Sequence, residues 1–308
     1  MLSLVLVTPV YAESGSEAGM FTHALASCLT QHGHRVIVVC SHAATACPSH
    51  AESGRLWIQR LSAKRQNRQR SFATLALSRV SELTQTDRCD RIISIDADPF
   101  SILAASTIGN RPLLDIQTEQ LDPESTLPLT GDAWQPPCFN RHVLLGTASS
   151  DESQDQLIDA YHSSYAPTLG WSLAVPDPNG EWRIVCSAQS PRSGNEAIFV
   201  PMRPGPSVLA EIATAHGIAS VAYDDHRGDV PRLTRSLNSA LEVDTDQRRT
   251  SALEQWKRKY ADTQMRARSE YWNQYVADVS SHTIGRPLHT WLRLERSGKA
   301  VSAAGGTI

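Results

Sequence analysis

The chain opens on an uninterrupted apolar run, residues 2–7, then a turn-rich stretch, then apolar positions at helical spacing. Met20, Ala24, Leu25, Cys28 and Leu29 recur at intervals of three and four, which puts them on one face of a helix over 20–31. Gly33 ends that helix, and Val36-Ile37-Val38-Val39 within 35–40 predicts a second strand buried on both faces. The alternation continues with a strand at 57–61, a helix at 72–83, a strand at 91–95, a short helix at 99–108 and a strand at 112–116. Apolar strands separated by helices are joined by crossovers, so this half of the chain reads as a parallel, doubly wound sheet.

Between 117 and 140 the pattern gives way to Pro, Thr, Asp and Gly, including Pro136-Pro137, and reads as a linker. A second α/β set follows. Strands are expected at 142–145, 171–175, 183–186, 197–200 and 219–222, and helices at 154–163, 207–216 and 231–241. Residues 250–279 are helical by pattern, and the Gly/Ser/Ala-rich end of 285–308 is expected to fray. The expected division is a first lobe with linker over 1–138, a second lobe over 139–262, and a last helix and tail over 263–308.

Composition narrows the function classes. The 308 residues are 41% hydrophobic and 20% charged, enough for two packed cores. A net charge of −3 gives no global field for nucleic acid or membrane, so any such binding needs a local patch. The six cysteines and eleven histidines have no metal-ligand or redox-pair spacing, so no metal and no resident cofactor is expected. No basic residue precedes the first apolar run, which is short for a signal peptide, and no later run approaches a membrane span. The expected location is the cytoplasm, with peripheral attachment to a membrane left open.

In doubly wound sheets ligands bind beyond the carboxyl ends of the strands. The first such loop here runs Thr8-Pro9-Val10-Tyr11-Ala12-Glu13-Ser14-Gly15-Ser16-Glu17-Ala18-Gly19. Its glycines allow close backbone approach, and the helix after it offers unpaired N–H groups to an anion; a plain strand-to-helix turn is an equal alternative. A dinucleotide site is excluded. Glu17 stands where the glycine fingerprint needs glycine, and Cys40-Ser41-His42 stands where a ribose-binding carboxylate would close the second strand.

Several segments together resemble family 4 glycosyltransferases of GT-B architecture. They are Leu4-Val5-Leu6-Val7-Thr8-Pro9, Ser14-Gly15-Ser16-Glu17-Ala18-Gly19 and His34-Arg35-Val36-Ile37-Val38-Val39 at the start, with Cys89-Asp90-Arg91-Ile92-Ile93-Ser94 and Arg111-Pro112-Leu113-Leu114 further on. In the second half, Phe199-Val200-Pro201 and Pro204-Gly205-Pro206-Ser207-Val208-Leu209-Ala210-Glu211 are similar to that family's donor-binding loop and helix. Ala267-Arg268-Ser269-Glu270-Tyr271-Trp272 is similar to its last helix. The resemblance implies two Rossmann-like lobes facing each other across a cleft, with the C-terminal helix crossing back to the first lobe. It implies transfer of a sugar from a nucleoside-diphosphate donor to an acceptor hydroxyl, with retention of configuration.

The resemblance also implies roles. Glu211 would accept hydrogen bonds from the ribose hydroxyls, and Gly205, Pro206 and Ser207 would present the helix start to the diphosphate. Gly15 and Ser16 would close on it from the other lobe, and Gly146 and Thr147 would line it after the first strand of the second lobe. Departures from the family pattern redistribute the chemistry. Arg203 stands where the first of two paired glutamates is usual, and the Arg/Lys pair expected after Gly146-Thr147-Ala148 is absent, so Arg203 is the candidate to stabilise the leaving group. The usual histidine of the first lobe is replaced by Gln117-Thr118-Glu119. Glu119 and Asp96 are therefore candidates to orient or deprotonate the acceptor, with Asp98 and Gln117 binding it. A solvated loop carboxylate at Glu119 and a helix-capping Asp98 are the structural alternatives.

Two basic stretches remain, Arg60, Lys64, Arg65, Arg68 and Arg70 in the first half, and Lys257, Arg258, Lys259, Arg266 and Arg268 near the end. They are solvated faces or docking sites for an anionic acceptor, whether lipid, glycan or nucleic acid. Two further readings stand beside the transferase: a catalytically degenerate partner subunit that keeps the fold, and a glycosyltransferase acting on nucleic acid.

Overall fold

The computed structural model describes residues 1–11, 16–41, 54–61, 68–86, 89–108, 111–118, 121, 127, 137–148, 151–177, 180–202, 207–221 and 229–278. The first lobe is built from β1 (Ser3–Thr8), α1 (Glu17–Gln31), β2 (Arg35–Ser41), β3 (Leu56–Leu61), α2 (Arg68–Gln85), β4 (Arg91–Ile95), α3 (Asp98–Thr107) and β5 (Leu113–Ile116). Its five strands are all parallel, in the order β3-β2-β1-β4-β5. The apolar runs decide this arrangement. Leu4 to Val7 and Val36, Val38 and Val39 are fully buried because α1 covers one face of the sheet and α2 and α3 the other.

The second lobe contains β6 (Val143–Ala148), α4 (Asp151–Ser163), β7 (Ser172–Pro176), β8 (Trp182–Cys186), β9 (Ala197–Met202), α5 (Val208–Ala215), β10 (Ala219–Ser220), α6 (Val230–Glu242) and α7 (Thr245–Lys259). The strand order is β10-β9-β6-β7-β8, parallel except for β8, which runs antiparallel to β7. The two are a hairpin: the Asp177 amide bonds the Glu181 carbonyl at 2.8 Å, and Gly180 takes a positive φ of 81°. β8 buries no residue fully and forms the sheet edge.

The helical pattern over 250–279 forms two helices. α7 stops at Tyr260, whose φ of −123° and ψ of 43° are not helical, and α8 (Asp262–Asp278) begins after this break. α8 packs on α1 of the first lobe. Trp272 is fully buried there, edge-on to Phe21 with ring centroids 5.4 Å apart. Polar contacts fix its register: His34 Nδ1 accepts from the Leu2 amide at 3.1 Å, so its Nε2 carries the proton donated to Asn273 Oδ1 at 2.8 Å. Burying a tryptophan and pairing a buried histidine at both nitrogens makes the crossing-back helix an integral layer of the first lobe.

The lobes share a core. One apolar cluster runs from Leu4 and Leu25 through Phe199, Val208, Leu209 and Ile212 to Trp272 and Val276. Among the described residues, α1 of the first lobe packs against α5 of the second.

Candidate functional site

Each sheet has one point where the chain order reverses. In the first lobe it lies between β1 and β4, and in the second between β6 and β9. The carboxyl ends of the central strands at these points lead into α1 and α5, whose amino ends converge between the lobes. Ser16 caps α1, its hydroxyl accepting from the Gly19 amide at 3.0 Å. Ser207 caps α5 in the same way, accepting from the Ala210 amide at 3.0 Å. Two positive helix ends in one place favour negative charge more than either alone.

A carboxylate occupies that position. Glu17, the first residue of α1, reaches across the gap; one oxygen accepts from the Ser207 hydroxyl and the other from the Leu209 amide at 3.1 Å. Ser207 is buried, so this contact is sheltered from water. The sequence marked Ser16 and Ser207 but not the glutamate beside them. An acid in the first turn of a helix is expected for its own dipole, and nothing in its spacing signals a partner 190 residues away.

Glu211, one turn into α5, does not stand alone. Its carboxylate pairs with Lys259 Nζ and accepts from the Tyr260 hydroxyl at 2.8 Å. Both partners come from the end of α7, which packs against α5. An ionised carboxylate has about four lone-pair directions, so these two bonds orient Glu211 and leave it able to accept more. Lys259 thereby places a cation beside the helix, where the sequence pattern had offered Arg203 alone.

Thr147 and Gly146 lie on β6, where their neighbours explain them differently. Thr147 is 6% exposed and its hydroxyl has no hydrogen-bond partner among the described residues. It stands opposite Pro201 in the β6–β9 register, and proline has no N–H to offer. An orphaned buried hydroxyl at the carboxyl end of the central strand is what a ligand would satisfy. Gly146 serves packing: a Cβ there would meet Leu157 Cδ2 of α4 at 2.2 Å.

On the first lobe, the acidic candidates gather at the carboxyl edge of β4 and β5. Asp96 holds a positive φ of 47°, and its carboxylate accepts from the Thr118 amide at 2.7 Å and from the Thr118 hydroxyl. Gln117 Nε2 donates to Asp98 and, at 3.2 Å, to Asp115, whose other oxygen accepts from Ser101 at 2.7 Å. Asp96, Asp98 and Gln117 are thus brought together, the two aspartates accepting from Gln117 and Thr118 just after β5. Gly15, Glu119, Arg203, Gly205 and Pro206 lie outside the described residues. No group of three or more His, Cys, Asp or Glu residues with metal-binding geometry occurs among the described residues.

No known family and no curated protein matches the sequence. Solved structures match its shape. Sucrose-phosphate synthase from Thermosynechococcus elongatus is 10% identical, with 89% of this chain and 98% of that one covered and a TM-score of 0.51. A UDP-N-acetylglucosamine 2-epimerase from Listeria monocytogenes is 8% identical, with 92% and 98% covered and a TM-score of 0.50. At such identities the likeness is one of fold: the chain has a divergent GT-B architecture, two Rossmann-like lobes with the last helix returned to the first.

Proposed function

We propose that the protein is a glycosyltransferase that takes its sugar from a nucleoside diphosphate, with the diphosphate seated between the amino ends of α1 and α5. The observation that carries this reading is Glu17. A negatively charged group already bridges the two helix starts, held by a hydroxyl and a backbone amide, which are the donors a phosphate oxygen would use. In the donor complex the phosphates take the place of that carboxylate. Thr147 offers them its unpaired hydroxyl, and Arg203 supplies positive charge as the leaving group departs.

Glu211, oriented by Lys259 and Tyr260, accepts from the ribose hydroxyls. Gly15 and Ser16 close over the phosphates from the first lobe, and Gly205 and Pro206 lead into the seat from the second. Gly146 contributes by letting β6 lie close to α4. The acceptor hydroxyl enters from the edge that carries Asp98 and Gln117, with Asp96 and Glu119 available to orient or deprotonate it. Retention of configuration follows from the resemblance to family 4 enzymes. Closure of the lobes excludes water, which would otherwise hydrolyse the donor.

A second reading has its own support. The anion in the seat is the protein's own, and Glu211 is already paired, as in a GT-B fold turned into a non-catalytic partner subunit. A thermal-shift screen of nucleoside diphosphates, followed by donor hydrolysis assays, separates the two. Nucleotide binding with turnover supports the transferase. Binding without turnover in the presence of acceptors supports the degenerate subunit, and absence of binding by both wild type and Glu17→Gln removes the transferase reading.

A further inference from the structure

Tyr260 ends α7, and side chains from both lobes meet on its buried ring. Trp256, one turn earlier in α7, lies against it with centroids 5.7 Å apart and planes tilted by 33°. Arg268 of α8 places its guanidinium carbon 4.5 Å from the same centroid. A guanidinium at that distance over a phenol is held by the negative face of the ring, the more firmly where water is kept out.

Arg268 moves with the first lobe. Ser269, the next residue, is tied to α1: its hydroxyl lies 2.8 Å from His32 Nε2 and 3.2 Å from Cys28 Sγ. Trp272, four residues on and so on the same side of α8 as Arg268, is the side chain buried against Phe21. Tyr260 and Glu211 belong to the second lobe. The contact of Arg268 with Tyr260 therefore crosses between lobes, and it falls on the phenol whose hydroxyl donates to Glu211 Oε2 at 2.8 Å. Lys259 pairs with the other oxygen, Oε1, but an ammonium on a flexible stem is a point charge that does not fix a direction. The phenol is rigid, with two side-chain torsions, so it decides where the carboxylate points.

We infer that Arg268 is a positioning residue for Glu211: standing on the first lobe, it fixes the Tyr260 phenol in the direction that turns the carboxylate toward a ribose. The inference rests on the transferase reading above and adds that recognition of the ribose depends on a side chain of the opposite lobe. A carboxylate aimed at a sugar hydroxyl rejects the analogue that lacks it, because one of its acceptor sites is then left short of a donor. Preference for a ribonucleotide over its 2′-deoxy counterpart is therefore a measure of aim. A general loosening of the fold weakens both ligands alike and leaves that preference where it was.

The test is calorimetric titration of the full chain with UDP, ADP and GDP, each beside its 2′-deoxy counterpart. The wild type binds the ribose form of at least one of them on the order of tenfold more tightly than the deoxy form. Arg268→Met, or Arg268→Gln where the first does not fold, brings the two forms to within about twofold by weakening the ribose form alone. Arg268→Lys, which keeps a cation over the ring, retains most of the preference. Tyr260→Phe loses it, and adding Arg268→Met to that variant changes nothing further, because both act through one hydrogen bond. An Arg268→Met protein with the wild-type preference, or with both forms weakened equally, overturns the inference, as does a further loss in the double variant. A wild type that binds both forms alike overturns it while leaving the diphosphate seat standing. A wild type that binds none of these nucleotides removes the transferase reading and this inference with it.

Discussion

Glu17 and Ser207 stand 190 residues apart in sequence and share a hydrogen bond across the gap between the lobes. With the Leu209 amide on its other oxygen, the glutamate gives the start of α5 a second cap beside Ser207 itself. The carboxylate sits where two helix dipoles add, so its charge is the important property. Glu17→Gln keeps the size but can accept only through one atom and carries no charge. The variant is expected to lose on the order of 1 kcal/mol of stability in the free protein. It is expected to bind nucleoside diphosphate on the order of tenfold more tightly, because nothing anionic has to be displaced. Calorimetric titration of both proteins with the same nucleotide checks this; weaker binding by the variant would remove Glu17 as a competitor for the seat.

Thr147 gives the opposite pairing of effects. Its hydroxyl is buried and unpartnered among the described residues, a cost in the free protein that Thr147→Val relieves. The variant is expected to gain up to about 1 kcal/mol in unfolding experiments while nucleotide affinity falls. A valine variant that is both less stable and unimpaired in binding would show that the hydroxyl serves the fold.

Gly146→Ala tests packing at the neighbouring position. The added methyl meets Leu157 Cδ2 well inside contact distance, and both β6 and α4 are central to the second lobe. Overpacking of this kind costs about 1–3 kcal/mol. The loss should be visible in urea unfolding, whether or not nucleotide is present.

Stability of the second lobe depends on pH through His142. Burial, helped by Arg192 and Arg248 nearby, holds its imidazole below the usual histidine range, against the opposing pull of Glu196. Nδ1 lies 3.2 Å from Glu196 Oε2 but off the line a hydrogen bond needs, so the proton finds little compensation. Because the folded value is depressed, the unfolded chain takes up the proton first. The contribution is complete above about pH 6.5 and is lost as the pH falls below it. The wild-type melting temperature should therefore drop more steeply than that of His142→Asn as the pH is taken from about 7 to about 5. Parallel curves would place the acid sensitivity elsewhere.

Much of the scaffold was legible because its strands are covered on both faces. Runs such as Val36-Ile37-Val38-Val39 leave only a central parallel strand as a solution, and β1, β2, β4 and α1 formed where the pattern placed them. The direction of β8 was not legible from periodicity. The signal was chemical instead: Asp177-Pro178-Asn179-Gly180 between two apolar runs is turn composition, and it joins an antiparallel pair. The position of the break after Lys259 leaves no mark in the periodicity because Tyr260 and Ala261 are ordinary helix residues, and burial of Trp272 against Phe21 in the first lobe decides where α8 points. The partners of Glu211 and Ser207 come from α7 and α1, distant segments that tertiary contact alone brings to them.

The same break has a mechanical consequence for Glu211. Tyr260 is the last residue of the second lobe before the backbone passes to α8, which is anchored in the first. Its phenol also grips Glu211. Any swing of one half of the molecule relative to the other must bend the chain beside Tyr260, and that bend pulls on the side chain holding the carboxylate. A hinge motion at this point would therefore also shift the phenol that holds Glu211.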